Sequence, residues 1–231
     1  ALVVHTAAMT DVDACELNPK QAISVNVRGT ESIAEASNQC GAVLFFMSTD
    51  YVFDGTKNGP YTEEDLPNPG SVYGKSKFEA EEFLKQNSLS VWILRCSWLF
   101  GAKGKNFFRS TLKKIRQGRG FQVVDDRRGA PSYTKDLAEA IRALIEKGSR
   151  VSGFKIYHLA NSGEATWFQA AERLLEKTGA SVDLRPTSSG AFRQPARRPM
   201  NSVFNTAKLR RDFGIELRPW TEAFDEFWRI S

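Results

Sequence analysis

The sequence is short of the residues that build metal centres and disulfide frameworks. Its 231 residues hold two widely separated histidines, His5 and His158, and three cysteines, Cys15, Cys40 and Cys96. No Cys-x-x-Cys occurs and the thiol count is odd, so neither a disulfide-stapled nor a zinc-held fold is indicated, and a reducing cytoplasm is the expected setting. No metal is expected to be required. Asp125 and Asp126 with Asp50 are the nearest thing to an acidic cluster, and an edge loop accounts for them better. Long apolar runs are missing too. Val43 to Met47 is typical, far below the roughly 20 residues that span a bilayer, and no basic region with a signal-like core opens the chain. No membrane role is expected. Charge of one sign is nowhere concentrated: 32 Lys and Arg against 27 Asp and Glu give +5, spread along the chain. Zinc-finger spacing, an RNP-like aromatic segment and a basic helix followed by heptads are all absent, so nucleic acid is not an expected partner.

What is present is an ordinary globular composition, 41% hydrophobic, in a chain long enough to bury a real core. Short runs rich in β-branched and aromatic residues alternate with segments of helical period. Leu2 to His5 is followed by a helix within 19–40, then Val43 to Ser48, then a helix from about Tyr73 to Gln86, then Val91 to Arg95. This is the rhythm of a parallel α/β sheet. Ala22, Ile23, Val27, Ile33, Ala34 and Ala36 give the first helix its apolar face, and Gly41 is its expected stop. After Trp98 the pattern changes: a Gly-punctuated stretch, a basic helix around 107–117 and a strand at Phe121 to Val124. A helix over Asp136 to Lys147 and a strand over Ile156 to Leu159 are expected to return to the sheet. Thr166 with Gln169 reads as a capping box opening a helix that ends before Gly179. A last aromatic helix lies around Trp220 to Trp228.

The most specific local feature is Tyr73-Gly-Lys-Ser-Lys77. Four positions apart at a helix start, Tyr73 and Lys77 share a face and can reach each other. A phenol is a poor acid at neutral pH, and a neighbouring ammonium is expected to lower its pKa towards the working range. Upstream, Ser48 and Thr49 fall where a parallel strand delivers hydroxyls to the carboxyl edge of its sheet, within reach of a substrate carbonyl. Elsewhere, Trp98 can stack on a sugar or base or serve as a core tryptophan. Arg193, Arg197 and Arg198 can pair with a diphosphate or form a solvated basic loop.

Hydroxyl, phenol and ammonium together resemble the active site of short-chain dehydrogenases, in their extended branch. More narrowly, the chain resembles the dTDP-4-dehydrorhamnose reductase family along nearly its whole length. The likeness is carried by His5-Thr-Ala-Ala-Met-Thr-Asp-Val-Asp-Ala-Cys-Glu16, Asn26-Val-Arg-Gly-Thr30, Ser48-Thr-Asp-Tyr-Val-Phe-Asp-Gly55, Tyr73-Gly-Lys-Ser-Lys77, Arg95-Cys-Ser-Trp98, Val124-Asp-Asp126 with Gly129-Ala-Pro131, and Arg198-Pro-Met-Asn-Ser202. The resemblance implies Thr49, Tyr73 and Lys77 as catalytic residues. It implies that Ala7, Ala8, Asn26, Ser48, Tyr73 and Lys77 face or support NADP, with NAD as the alternative, and that Tyr51, Trp98, Asn106 and Arg198 hold a nucleotide sugar. The implied reaction is hydride delivery to the C4 ketone of a 4-keto-6-deoxy sugar, with Tyr73 protonating the alkoxide, Thr49 orienting the carbonyl and Lys77 also holding the nicotinamide ribose.

The implied fold is a parallel Rossmann-like sheet with a smaller α+β substrate-binding region: residues 1–160, with 103–132 contributing to the substrate side, and a cap over 161–231. Such proteins open on a strand, a glycine-rich turn and a helix receiving the cofactor diphosphate. No G-x-x-G-x-x-G follows a strand here, so the expectation is a sheet lacking its first strands, a fragment of a longer product, with the edge of Leu2 to His5 left open. A homodimer through that edge is a second expectation. Two other functions stay open. One is a non-catalytic, cofactor-sensing subunit like the regulatory beta subunit of methionine adenosyltransferase II, which shares the Ser-Asp-Tyr-Val-Phe-Asp-Gly type of segment. The other is a sugar-nucleotide epimerase or dehydratase, although Tyr51 stands where related dehydratases carry the glutamate after their aspartate.

Overall fold

The structure, a computed structural model, describes residues 1–148 and 153–230, and every site residue named above lies among them. Strand β1, Leu2–His5, leads through a loop to the short helix α1, Val12–Leu17, whose N-terminus is capped by Asp11. Helix α2, Pro19–Ile23, starts on a proline, which has no N–H to leave unsatisfied. It runs through a wider π turn, Ser24–Arg28, into α3, Gly29–Gln39, so the single expected helix is one rod with a bulge in it. Strand β2, Val43–Thr49, ends in a 3-10 turn over Asp50–Val52. Then come α4, Val72–Asn87, and β3, Ser90–Cys96.

Beyond Trp98 lie β4, Leu99–Phe100; α5, Phe107–Arg116; β5, Phe121–Val124; β6, Arg128–Gly129; and β7, Ser132–Tyr133. Helix α6, Thr134–Gly148, and β8, Gly153–His158, return to the main sheet. The chain closes with β9, Ala165–Thr166; α7, Trp167–Thr178; β10, Leu184–Thr187; α8, Ala207–Phe213; and α9, Trp220–Arg229. The capping box at Thr166 and Gln169 is present, and Gly179 ends α7 in the left-handed conformation.

The main sheet has the order β1-β2-β3-β8 with every pair parallel. Its two central strands are apolar on both faces, as strands covered by helices on both sides must be. Leu44 and Phe46 of β2 and Val91 and Ile93 of β3 face one way, packing with Ala34 of α3 and Ala80 and Leu84 of α4. Phe45, Trp92, Leu94 and Cys96 face the other way, against Leu137, Ala140 and Leu144 of α6. Leu209, Ile215 and Leu217 join that second layer, so the C-terminal segment also covers the sheet. A separate cluster around Phe100, Phe108, Tyr133, Phe224 and Phe227 holds α5, α7 and α9 together, and β5 pairs with β10 beside it.

At one edge of the sheet, β1 pairs only with β2 and leaves Leu2 and Val4 exposed. Among the described residues, no helix is long and apolar enough to cross a membrane.

Candidate active site

Thr49 and Cys96 are partners in the β2–β3 register, at the carboxyl ends of the two central strands. Parallel α/β sheets bind ligands there, because the chain must leave the sheet and splay open. Thr49 is buried, and its hydroxyl accepts the N–H of Tyr51, capping the 3-10 turn. Helix α4 starts directly against that turn. Ser71 caps it by accepting the Gly74 N–H at 3.1 Å, and Glu16 from α1 accepts the Val72 N–H at 2.9 Å. Gly74 explains the closeness of the approach: a β-carbon there would lie 2.2 Å from the Tyr51 carbonyl oxygen. Only glycine lets the first turn of α4 settle on residues 50–52, and that brings the Tyr73 phenol towards the Thr49 hydroxyl.

Tyr73 and Lys77 both line a cavity of about 280 Å³ with Thr6, Ala8, Thr10, Met47, Ser48, Cys96 and Leu99, closed by Thr134, Leu137, Ala138 and Ile141 of α6. Lys77 is 3% exposed, and its ammonium sits 3.9 Å from the centre of the Phe46 ring. Burial pulls its pKa down to about 8, against the attraction of Cys96 and Glu81. Its positive charge is therefore held at neutral pH and lost in mild alkali.

The phenol departs from expectation. Rather than being drawn down by Lys77, the Tyr73 pKa is pushed well above its usual value by burial, which outweighs the opposing pull of the Thr49 hydroxyl. The physical reason is desolvation: a phenolate in this dry pocket loses more than the neighbouring groups return. Tyr73 therefore stays protonated at any working pH, as a group that donates to an alkoxide must.

Beneath this pair lies a buried network. Arg95 of β3 grips Glu81 of α4 with Nε at 3.0 Å and Nη2 at 2.6 Å, both side chains nearly inaccessible, and Ser48 donates to Glu81 at 2.5 Å. It fixes α4 to the ends of β2 and β3.

Tyr51 stands between Tyr73 and a second cavity. Its ring stands edge-on to Tyr73 at 5.4 Å and lines a pocket of about 310 Å³ with Phe107, Thr111, Val123, Trp167 and Phe192. Lys114, Arg127 and Arg198 supply its charge. Arg198 is bound to Asp13 at 2.7 Å, and Arg127 donates to Gln194 at 3.0 Å while its Nε is buried without a partner. Burial and the neighbouring Arg198 both lower the pKa of Arg127. Two guanidiniums held close enough to repel form a site that an anion relieves.

The other residues singled out in the sequence are placed as follows. Ala8 and Ser48 line the first cavity, while Ala7 is exposed beside it. Asn26, buried by the π turn, braces the loop after β1: it accepts the Met9 N–H at 2.7 Å and donates to the Ser76 hydroxyl at 2.9 Å. Trp98, at φ 46°, itself lines neither cavity but stacks with ring centres 3.5 Å apart on Trp167, which lines the second pocket. Gly129 is required for it, because a β-carbon there would meet the Trp98 ring at 2.2 Å. Asn106 caps α5, accepting the Arg109 N–H and donating to the Gly101 carbonyl, so both ends of its amide are engaged away from the pocket. Arg193 and Arg197 are exposed and line neither cavity. Sequence reasoning missed Phe107, Lys114, Arg127 and Trp167. Trp167, which directly follows the Thr166 cap, and Arg127, in the run after Asp126, carried a signal only once β5 and α7 were known to face each other.

A family model described as the RmlD substrate binding domain matches residues 1–230. The chain belongs to that family. It is 38% identical to a dTDP-4-dehydrorhamnose reductase of Sinorhizobium fredii, over 96% of this chain and 77% of that protein. It is 36% identical to the spore coat polysaccharide biosynthesis protein SpsK of Bacillus subtilis, over 98% and 78%. The crystal structure of a dTDP-4-dehydrorhamnose reductase from Bacillus anthracis in complex with NADP superposes with a TM-score of 0.94 at 33% identity, covering 100% of this chain and 80% of that one. The resemblance to the extended short-chain dehydrogenases and the parallel Rossmann-like fold are thereby borne out.

Proposed function

We propose that this protein reduces the C4 ketone of a nucleotide-linked 4-keto-6-deoxy sugar with a nicotinamide dinucleotide, NADP in preference to NAD. One observation carries the reading: Tyr51 packs edge-on against Tyr73 of the Lys77 cavity and itself lines an aromatic pocket where Arg127 and Arg198 converge. A base between aromatic rings, a diphosphate on the guanidiniums and a ketone at Tyr73 fit that sequence of surfaces. The relatives named for dTDP-4-dehydrorhamnose reduction, one of them holding NADP, support the same substrate class and cofactor.

The first cavity fits the reactive end of the cofactor. Its walls, Met47, Leu99, Leu137 and Ile141, suit a flat ring, and the Lys77 ammonium, seated over the Phe46 ring, has donors to offer ribose hydroxyls. When bound, the reduced nicotinamide supplies a hydride. Tyr73 donates its proton to the oxygen that becomes the alcohol, Thr49 positions that oxygen, and the Lys77 charge stabilises the phenolate left behind. Tyr51 occupies the position after Asp50 where an elimination would call for a carboxylate, which favours simple reduction.

The test is NADPH consumption with a 4-keto-6-deoxy nucleotide sugar. Tyr73→Phe should cut turnover by about 10²–10⁴-fold and leave sugar-nucleotide affinity within about twofold, since that hydroxyl is one contact among many. Unchanged turnover in the variant would overturn the assignment.

A further inference from the structure

Thr49 has one hydroxyl proton and two lone pairs, and the structure accounts for them closely. Its proton goes to Asp50 Oδ1 at 3.2 Å, and one lone pair takes the Tyr51 N–H, also at 3.2 Å. The Tyr73 phenol lies near enough for that hydroxyl to act on its pKa, pulling it down against burial. Asp50 itself is 3% exposed, and its Oδ2 is buried without a hydrogen-bond partner. Around it stand the Ser202 hydroxyl, the Tyr51 phenol from its own turn, the Tyr73 phenol from α4 and the Cys96 thiol from the end of β3, none of them a cation. A carboxylate so enclosed, with one oxygen orphaned, is poised to take up a proton.

We propose that Asp50 is a positioning residue for the carbonyl chemistry, its proton deciding whether the Thr49 hydroxyl points at Asp50 or at the substrate oxygen. The inference rests on the ketone-reducing reading given above. With Asp50 ionised, Thr49 donates to it and accepts from Tyr51 N–H, so the Thr49 proton is turned away from the substrate. With Asp50 protonated, the acid donates to Thr49, and both lone pairs are filled. Thr49 can then only donate, beside the Tyr73 phenol. Two O–H groups converge on one carbonyl oxygen, the arrangement that stabilises a developing alkoxide. No proton leaves Asp50 in the cycle; it only sets direction. Burial pushes the Asp50 pKa up to about 6, with the Ser202 and Thr49 hydroxyls pulling the other way, so the change falls in the range where the enzyme can be assayed.

Two measurements test this on the wild type, Asp50→Asn and Thr49→Val. The first is an infrared titration of protein labelled with ¹³C-aspartate, without ligand. It should show a protonated-carboxyl band that disappears as pH rises through about 6, is missing in Asp50→Asn, and shifts in Thr49→Val. The second is calorimetric affinity for a 4-keto-6-deoxy nucleotide sugar. It should weaken by about fivefold from pH 5 to pH 7 in the wild type, the size of one neutral hydrogen bond, and be flat over that range in both variants. An Asp50→Asn protein with the wild-type pH dependence, or a carboxyl band that Thr49→Val leaves unmoved, overturns the proposal. Absence of sugar-nucleotide binding at every pH sinks the functional reading instead, and the ligand-free titration still decides whether Asp50 and Thr49 are coupled.

Discussion

Replacing Lys77 by methionine should stabilise the protein at neutral pH while removing its chemistry. The Lys77 ammonium is held at 3% exposure with a pKa near 8 instead of the ordinary 10.5. At ~1.4 kcal/mol for each unit, keeping that charge in the folded state costs about 3 kcal/mol below pH 8. The contact with the Phe46 ring at 3.9 Å returns part of this, on the order of 1 kcal/mol, and a methionine sulfur recovers some of that contact. The net gain for Lys77→Met is about 2 kcal/mol, or roughly 4 °C in melting temperature for a chain of this size. The sign follows from proton counting. Between pH 8 and 10.5 the unfolded chain holds the Lys77 proton and the folded protein has released it, so wild-type stability rises with pH in that window relative to the variant. Below pH 8 the gap is constant. Urea denaturation of both proteins at pH 7, 9 and 10 measures it. A gap that does not narrow towards pH 10, or a variant less stable than wild type at pH 7, would refute the reasoning.

Two further expectations concern the network below the site and the anion pocket. Glu81→Gln leaves Arg95 buried without its countercharge and should cost about 3–5 kcal/mol in urea unfolding; by removing an attraction that raises the Lys77 pKa, it should also move the loss of the Lys77 charge to lower pH. Arg127→Ala should weaken sugar-nucleotide binding by about 10–100-fold and flatten its salt dependence, as removal of one charged donor to a phosphate does; a change under about twofold by calorimetry would show that the two guanidiniums do not share the diphosphate.

Much of this site was readable in advance because it is local. Tyr73 and Lys77 are one helical turn apart, and Thr49 ends a strand whose apolar run announced it, so spacing alone places all three at the carboxyl edge of a sheet. The capping box at Thr166 and the order of strands and helices were legible for the same reason: each is decided by residues within a few positions. The direction of the Tyr73 shift was not. A pair of residues suggests that an ammonium lowers a phenol, while the depth of burial that reverses the result is set by Cys15 of α1, Ala22 of α2 and the Tyr51 ring packed on Tyr73. Asn106 reads as a pocket residue until its amide is seen closing the end of α5.

The sequence by itself determined the α/β alternation and the family, and singled out Thr49, Tyr73 and Lys77 as candidates, because these depend on short-range periodicity and on ordered motifs. Only the tertiary structure decided which cations line the second pocket. Arg127 and Arg198 are 71 positions apart in the chain and meet because Asp13 and Gln194 hold each in place. Only it, too, showed that Gly74 and Gly129 are there to let Tyr51 and Trp98 come close. Long-range contacts of this kind follow from how the layers pack.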